Sequence, residues 1–109
     1  MALEQQQCIP CEGGVKRLDE AQASTMLLQT PGWEMVDDAR KIELKCVFKN
    51  FAEALAFVNK VGQVAEEQNH HPDILFGWGY AKITIQTHAI AGLHENDFVL
   101  AAKINTLLK

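Results

Sequence analysis

Two alternating stretches limit what this chain can fold into. From Lys41 to Phe48, the residues Ile42, Leu44, Cys46 and Phe48 fall on one side of an extended chain, and Lys41, Glu43 and Lys45 fall on the other. A strand buried on one side only belongs to an antiparallel sheet. From Tyr80 to His88 the alternation returns, with Ala81, Ile83, Ile85 and Thr87 on the buried side. Strict parity then places His88 on the opposite side, with Tyr80, Lys82, Thr84 and Gln86. Between these strands the period changes to that of a helix. Asn50 offers a cap with Glu53 three residues on, and Phe51, Ala54, Leu55, Val58, Val61 and Ala65 recur at helical spacing to about Gln68. That stripe is expected to lie across Ile42, Leu44, Cys46 and Phe48.

The flanking segments complete a layer. Asp19 offers an N-cap with Gln22 three residues later, and Ala23, Met26, Leu27 and Thr30 follow at helical spacing until Pro31-Gly32 breaks the chain. Trp33 to Val36 reads as a brief strand, joined by the polar Asp37-Asp38 turn to the Lys41 strand. Asp73 to Phe76 reads as another short strand, ahead of Gly77 and Gly79. Glu95 to Leu108 reads as a closing helix whose stripe of Leu100, Ala101, Ile104, Leu107 and Leu108 puts Asp97 on the inward side. The implied class is α+β, one four-stranded antiparallel sheet with three helices packed on one face. At 109 residues and 48% hydrophobic content, the chain makes one domain, over 18–109. Residues 1–17 carry a glutamine run, Cys8-x-x-Cys11 and Gly13-Gly14 without any period, and are expected to form a flexible N-terminal tail.

Composition removes several function classes. Three cysteines suit no secreted disulfide framework. No apolar run has the length of a signal-peptide core or a membrane span. With 14 acidic against 10 basic residues, the field of the protein repels phosphate backbones. A soluble cytoplasmic protein with no nucleic-acid or membrane partner is expected. The Cys8/Cys11 pair has zinc-ribbon spacing but lacks a second pair, since Cys46 falls inside a strand, and no metal site is expected there.

All four histidines lie between Glu66 and Asp97. His70 and His71 sit where the long helix runs out, and Pro72 forbids its continuation. His88 closes the second alternating strand, and Asp97 lies at the mouth of the last helix. His94, in a Gly-Leu-His-Glu loop, reads as an ordinary structural histidine and stays outside the site. Three imidazoles and a carboxylate can serve zinc or non-haem iron, but histidine ligands on a helix prefer i, i+4 placement, and adjacent histidines rarely aim at one ion. Acid-base chemistry asks only that groups titrating near neutrality reach a small substrate. The residues favour it.

The run Glu66-x3-His70-His71-Pro72, the aromatic Trp78, His88 ten positions beyond it and then Asp97 resembles the signature of the pterin-4a-carbinolamine dehydratases, also called 4a-hydroxytetrahydrobiopterin dehydratases. The resemblance spans roughly residues 18 to 108, including Asn50-Phe51 and the Gly92-Leu93 turn. It implies an α+β hydro-lyase that removes water from the 4a-hydroxytetrahydropterin released by aromatic amino acid hydroxylases, giving the quinonoid dihydropterin without metal or other cofactor. By the same resemblance His70 and His88 act as acid-base groups, His71 holds the pterin ring, and Glu66 and Asp97 support them. Many relatives carry an aromatic two residues after the proline, where this chain has Ile74, so Trp78 and its neighbours Phe76 and Tyr80 are left to supply the stacking surface. The resemblance also implies a homodimer or homotetramer and a functional link to phenylalanine hydroxylase. The long, proline-free Tyr80 to His88 strand, or the C-terminal helix, is expected to contribute to the interface between copies. Because some members are dimerisation partners of transcription factors, the alternative is a protein-interaction module on the same fold.

Overall fold

The computed structural model describes residues 2–9 and 16–108. In chain order these form α1 (Glu20–Leu27), β1 (Glu34–Val36), β2 (Lys41–Val47), α2 (Phe51–Gln68), β3 (Asp73–Gly77), β4 (Tyr80–Ile85) and α3 (Glu95–Thr106), with short 3-10 turns at Leu3–Gln5 and His88–Ile90. The capping residues read from the sequence do what their chemistry predicts. The Asp19 carboxylate accepts from the Gln22 amide while the Gln22 side chain accepts from the Asp19 amide, and Asn50 Oδ1 accepts from the Glu53 amide.

One four-stranded antiparallel sheet runs in the order β1-β2-β4-β3. Its register sets Ile42 opposite Ile85, Leu44 opposite Ile83 and Cys46 opposite Ala81. The apolar halves of two alternating strands therefore merge into one surface, which the helices cover. Ile42, Ile83 and Ile85 are fully buried there, with Val61 of α2 and Phe98, Leu100 and Ile104 of α3. No helix among the described residues is long and apolar enough to cross a membrane.

Three expectations are corrected by the tertiary arrangement. The buried stripe of α2 is Ala54, Phe57, Val61 and Ala65, whereas Phe51 and Leu55 are exposed on its flank. The helix is rotated by the need to seat Phe57, whose ring stacks at 5.2 Å on Phe48. The last strand stops at Ile85 instead of reaching His88, because Thr87 pairs back across a tight loop with Gly92. Nor is β4 an open edge: it is hydrogen-bonded to β2 on one side and β3 on the other, and the free edges are β1 and β3. Helix α3 is buried at every residue from Asn96 to Ala102, and Leu108 beyond its end is exposed.

The N-terminal residues 2–9 also differ from a loose tail. Leu3 is only 3% exposed within the core, and the Leu3–Gln5 turn packs on α3. Lys103 Nζ donates to the Glu4 carbonyl. A single apolar side chain with a place in the core is enough to order a segment that has no period of its own. Cys11, the other half of the cysteine pair, lies outside the described residues.

Candidate active site

The corner after α2 is built by backbone geometry. Asn69 adopts a left-handed conformation (φ 52), its amide donates to the Glu66 carbonyl, and the His70 amide donates to the Ala65 carbonyl. This pair of bonds is a Schellman termination, which asparagine tolerates better than most non-glycine residues. The chain is thereby turned sharply at His70 before Pro72 directs it into β3. The bend lets His70 and His71 line one cavity, although neighbouring residues in an extended segment point apart.

Asp97 enters from the first turn of α3, where the helix dipole favours a carboxylate. It is fully buried and accepts three hydrogen bonds: from His70 Nε2 at 2.6 Å, from Thr87 Oγ1 at 2.9 Å and from the His94 amide at 2.8 Å. Every neighbour of that carboxylate is thus a donor. With Asp97 ionised, His70 Nε2 is the donor of their bond and the ring is held in one orientation, the relation of a carboxylate placed behind a histidine. The second pair is outwardly similar. His71 Nε2 meets Glu66 Oε2 at 2.5 Å, with both side chains mostly in solvent. His88 stands at the start of the loop that Thr87 and Gly92 close, exposed. His94 caps α3, its Nδ1 accepting from the Asn96 amide.

His70, His71 and His88 line one cavity of about 550 Å³, within the range of small-ligand clefts. The end of α2, the start of β3 and the loop after β4 form its other walls, together with Cys8 and Ile9 from the N-terminal segment. Glu66 and Asp97 stand behind two of the histidines rather than in the lining. Trp78 is not brought there. It occupies the β3–β4 turn, 72% exposed, five residues along an extended strand from Asp73 at the cavity, about 16 Å at roughly 3.3 Å per residue. Gly79 beside it has φ 81, and a side chain there would press on the Phe48 carbonyl, so the turn itself demands glycine.

Several participants escaped the sequence reading. Thr87 counted only as a buried strand residue, yet its hydroxyl holds Asp97. Asn69 carries a visible signal, an asparagine just beyond a helix end. Cys8, Ile9 and Asn96 carried none, because their roles depend on a contact spanning 87 positions. Burial pushes the Cys8 thiol up to about 11, with the nearby Asp97 charge adding to the rise and Lys103 opposing it. The Cys46 thiol is also raised by burial. Among the described residues no group of three or more His, Cys, Asp or Glu side chains is arranged to hold a metal ion.

The family model described as pterin 4 alpha carbinolamine dehydratase matches residues 16–107. A protein of Halorhodospira halophila, provisionally named a pterin-4-alpha-carbinolamine dehydratase, is 55% identical over 98% of this chain and 98% of its own length. One of Cupriavidus pinatubonensis with a similar name is 53% identical over 96% of this chain and 90% of its own. Among solved structures, a transcriptional coactivator/pterin dehydratase from Brucella melitensis superposes with a TM-score of 0.80 at 30% identity, covering 86% of this chain and all of that one. A pterin dehydratase-like RuBisCO assembly factor of the alpha-carboxysome superposes at 0.60 with 25% identity, over 70% of this chain and 88% of that one. With this match over most of its length, the chain belongs to the pterin 4 alpha carbinolamine dehydratase family.

Proposed function

We propose that the protein dehydrates 4a-hydroxytetrahydropterin to the quinonoid dihydropterin, and so recycles the cofactor of a cytoplasmic aromatic amino acid hydroxylase such as phenylalanine hydroxylase. The observation that carries the proposal is the convergence of three histidines on one cavity, one of them backed by a buried carboxylate. In the reaction the N5–H bond and the C4a–O bond break, the C4a–N5 double bond forms, and water departs. Hydroxide is a poor leaving group unless it is protonated. His70, with Nε2 committed to Asp97, offers Nδ1 to take the N5 proton, and the resulting imidazolium is stabilised by the Asp97 charge. His88 in its protonated form delivers a proton to the departing 4a-hydroxyl. His71, steadied by Glu66, binds the polar edge of the pterin. Each proton transfer supplies about 10²–10⁴-fold.

A direct assay follows quinonoid product by absorbance. The double variant His70→Ala, His88→Ala is expected to lose catalysed dehydration with an unchanged circular dichroism spectrum, each single variant keeping part of it. A folded double variant at wild-type rate would show that these histidines are not the acid-base pair.

The names of the two structural neighbours, a coactivator and an assembly factor, support a second reading in which the fold serves as an interaction module. The intact histidine constellation favours catalysis. Either role is compatible with a homodimer or homotetramer. Val47, Leu75, Trp78 and Tyr80 are exposed apolar side chains at the β3–β4 turn and on the neighbouring strands, beside the free edge of β3, and such an edge invites pairing. Light scattering is expected to give a multiple of 12.1 kDa; a monomer mass at micromolar concentration would refute assembly.

A further inference from the structure

Most of the residues that line the cavity carry polar side chains. Among the described residues no aromatic side chain apart from the imidazoles lines it, Trp78 being at the far end of its hairpin, and Ile9 is the one large aliphatic side chain in that lining. Yet a flat heterocycle in a small-ligand cleft needs apolar surface against its ring faces as well as polar groups at its edge.

Ile9 is placed with unusual care for a residue near a chain terminus. The Asn96 side chain grips its backbone at two points, Oδ1 accepting from the Ile9 amide at 3.0 Å and Nδ2 donating to the Ile9 carbonyl at 2.6 Å. One residue earlier, the Cys8 amide donates to Gln68 Oε1 at 2.9 Å. Asn96 is itself nearly fully buried and adjoins Asp97, while Gln68 is the last residue of α2, two before His70. The two side chains that hold the segment thus come from the two helix ends that carry the histidine–carboxylate pair. Two paired amide bonds reproduce the grip of a strand bridge and satisfy the segment's backbone without using the Ile9 side chain. That side chain is 61% exposed and lines the cavity, which leaves its apolar surface open to a ligand there. The segment also lies outside residues 16–107, the part matched by the family model.

We infer that Ile9, clasped by Asn96, contacts the ring face of the bound substrate and sets the affinity of this site for a flat bicyclic heterocycle. The inference rests on the dehydratase reading above. It assigns Ile9 to binding rather than to proton transfer, so its removal acts on KM and leaves kcat.

The test uses the full chain. Ile9→Ala removes side-chain carbons without touching the clasp, and is expected to raise KM for 4a-hydroxytetrahydropterin about fivefold through lost apolar contact, with kcat and thermal midpoint unchanged. Ile9→Leu is expected to restore the wild-type KM. Asn96→Ala, which releases the backbone, is expected to raise KM in the same way while also lowering the thermal midpoint. An Ile9→Ala protein with wild-type KM overturns the assignment, as does one whose kcat and thermal midpoint fall together, since that is the mark of a structural role. A wild-type protein that fails to dehydrate the substrate defeats the dehydratase reading instead. The contact is then read from calorimetric titration with 7,8-dihydrobiopterin, where a fivefold weaker Kd for Ile9→Ala supports it, and equal affinity or no binding by either protein overturns it.

Discussion

Two histidine–carboxylate pairs stand side by side at this site, almost equal in length and unlike in every other respect. His70 meets Asp97 at 2.6 Å with side-chain exposures of 13% and 0%, whereas His71 meets Glu66 at 2.5 Å with exposures of 53% and 78%. Distance alone would rank them together. Surroundings separate them, because an ion pair in water is screened and contributes about 0–1 kcal/mol, while removing one partner of a buried pair leaves an uncompensated group that costs about 3–5 kcal/mol. The buried carboxylate has two further donors that fix its orientation; for the exposed one, His71 is the hydrogen-bond partner shown. On the proposed function the difference suits them to different work: His70 is held in one direction, as proton transfer requires, and His71 keeps the freedom to adjust to a ligand.

Substitutions on the two carboxylates should pull that contrast apart. The largest effect is expected from Asp97→Asn. All three groups facing the carboxylate are donors, so an amide nitrogen at either position opposes one of them. Urea unfolding should show a loss of about 3 kcal/mol, and kcat should fall by at least about 10²-fold.

An intermediate effect is expected from Thr87→Val. It keeps the shape and removes one donor, about 1 kcal/mol by the usual worth of a hydrogen bond, and kcat should fall several-fold with KM little changed. Thr87→Ser should recover most of the loss, which a merely steric role for Thr87 would not allow.

The smallest effect belongs to Glu66→Gln, with stability within about 0.5 kcal/mol of wild type and a modest rise in KM. Should Glu66→Gln prove as damaging as Asp97→Asn, burial is not what distinguishes the two pairs, and their roles would have to be reassigned.

Much of this arrangement was legible from local pattern. The inward position of Asp97 follows from the apolar stripe of α3, and the sharp corner at His70-His71 follows from a proline that a helix cannot pass. Capping by Asp19 and Asn50 was readable because both partners lie within three residues. The direction of His88 was not, since parity holds only while a strand continues, and the strand ends where Thr87 bonds back to Gly92. The placement of Trp78 was misleading for a related reason. Its spacing in the chain matches the family signature, while a five-residue strand carries it to the far end of the sheet from the cavity in its own chain.

The sequence by itself determined the helices and strands, their order and the buried sides of the long strands, because helix and strand periods, caps and turn residues act through neighbours a few positions apart. It also determined which chemistry was available, by concentrating every histidine between Glu66 and Asp97. Only the tertiary structure decided which histidine would meet the buried carboxylate, which aromatic would stand away from the site, and that Cys8 and Ile9 would wall the cavity. Those outcomes rest on contacts across 27 positions for His70 and Asp97 and 87 for Ile9 and Asn96. Contacts of that span form only after sheet and helices pack against one another, and no local period encodes them.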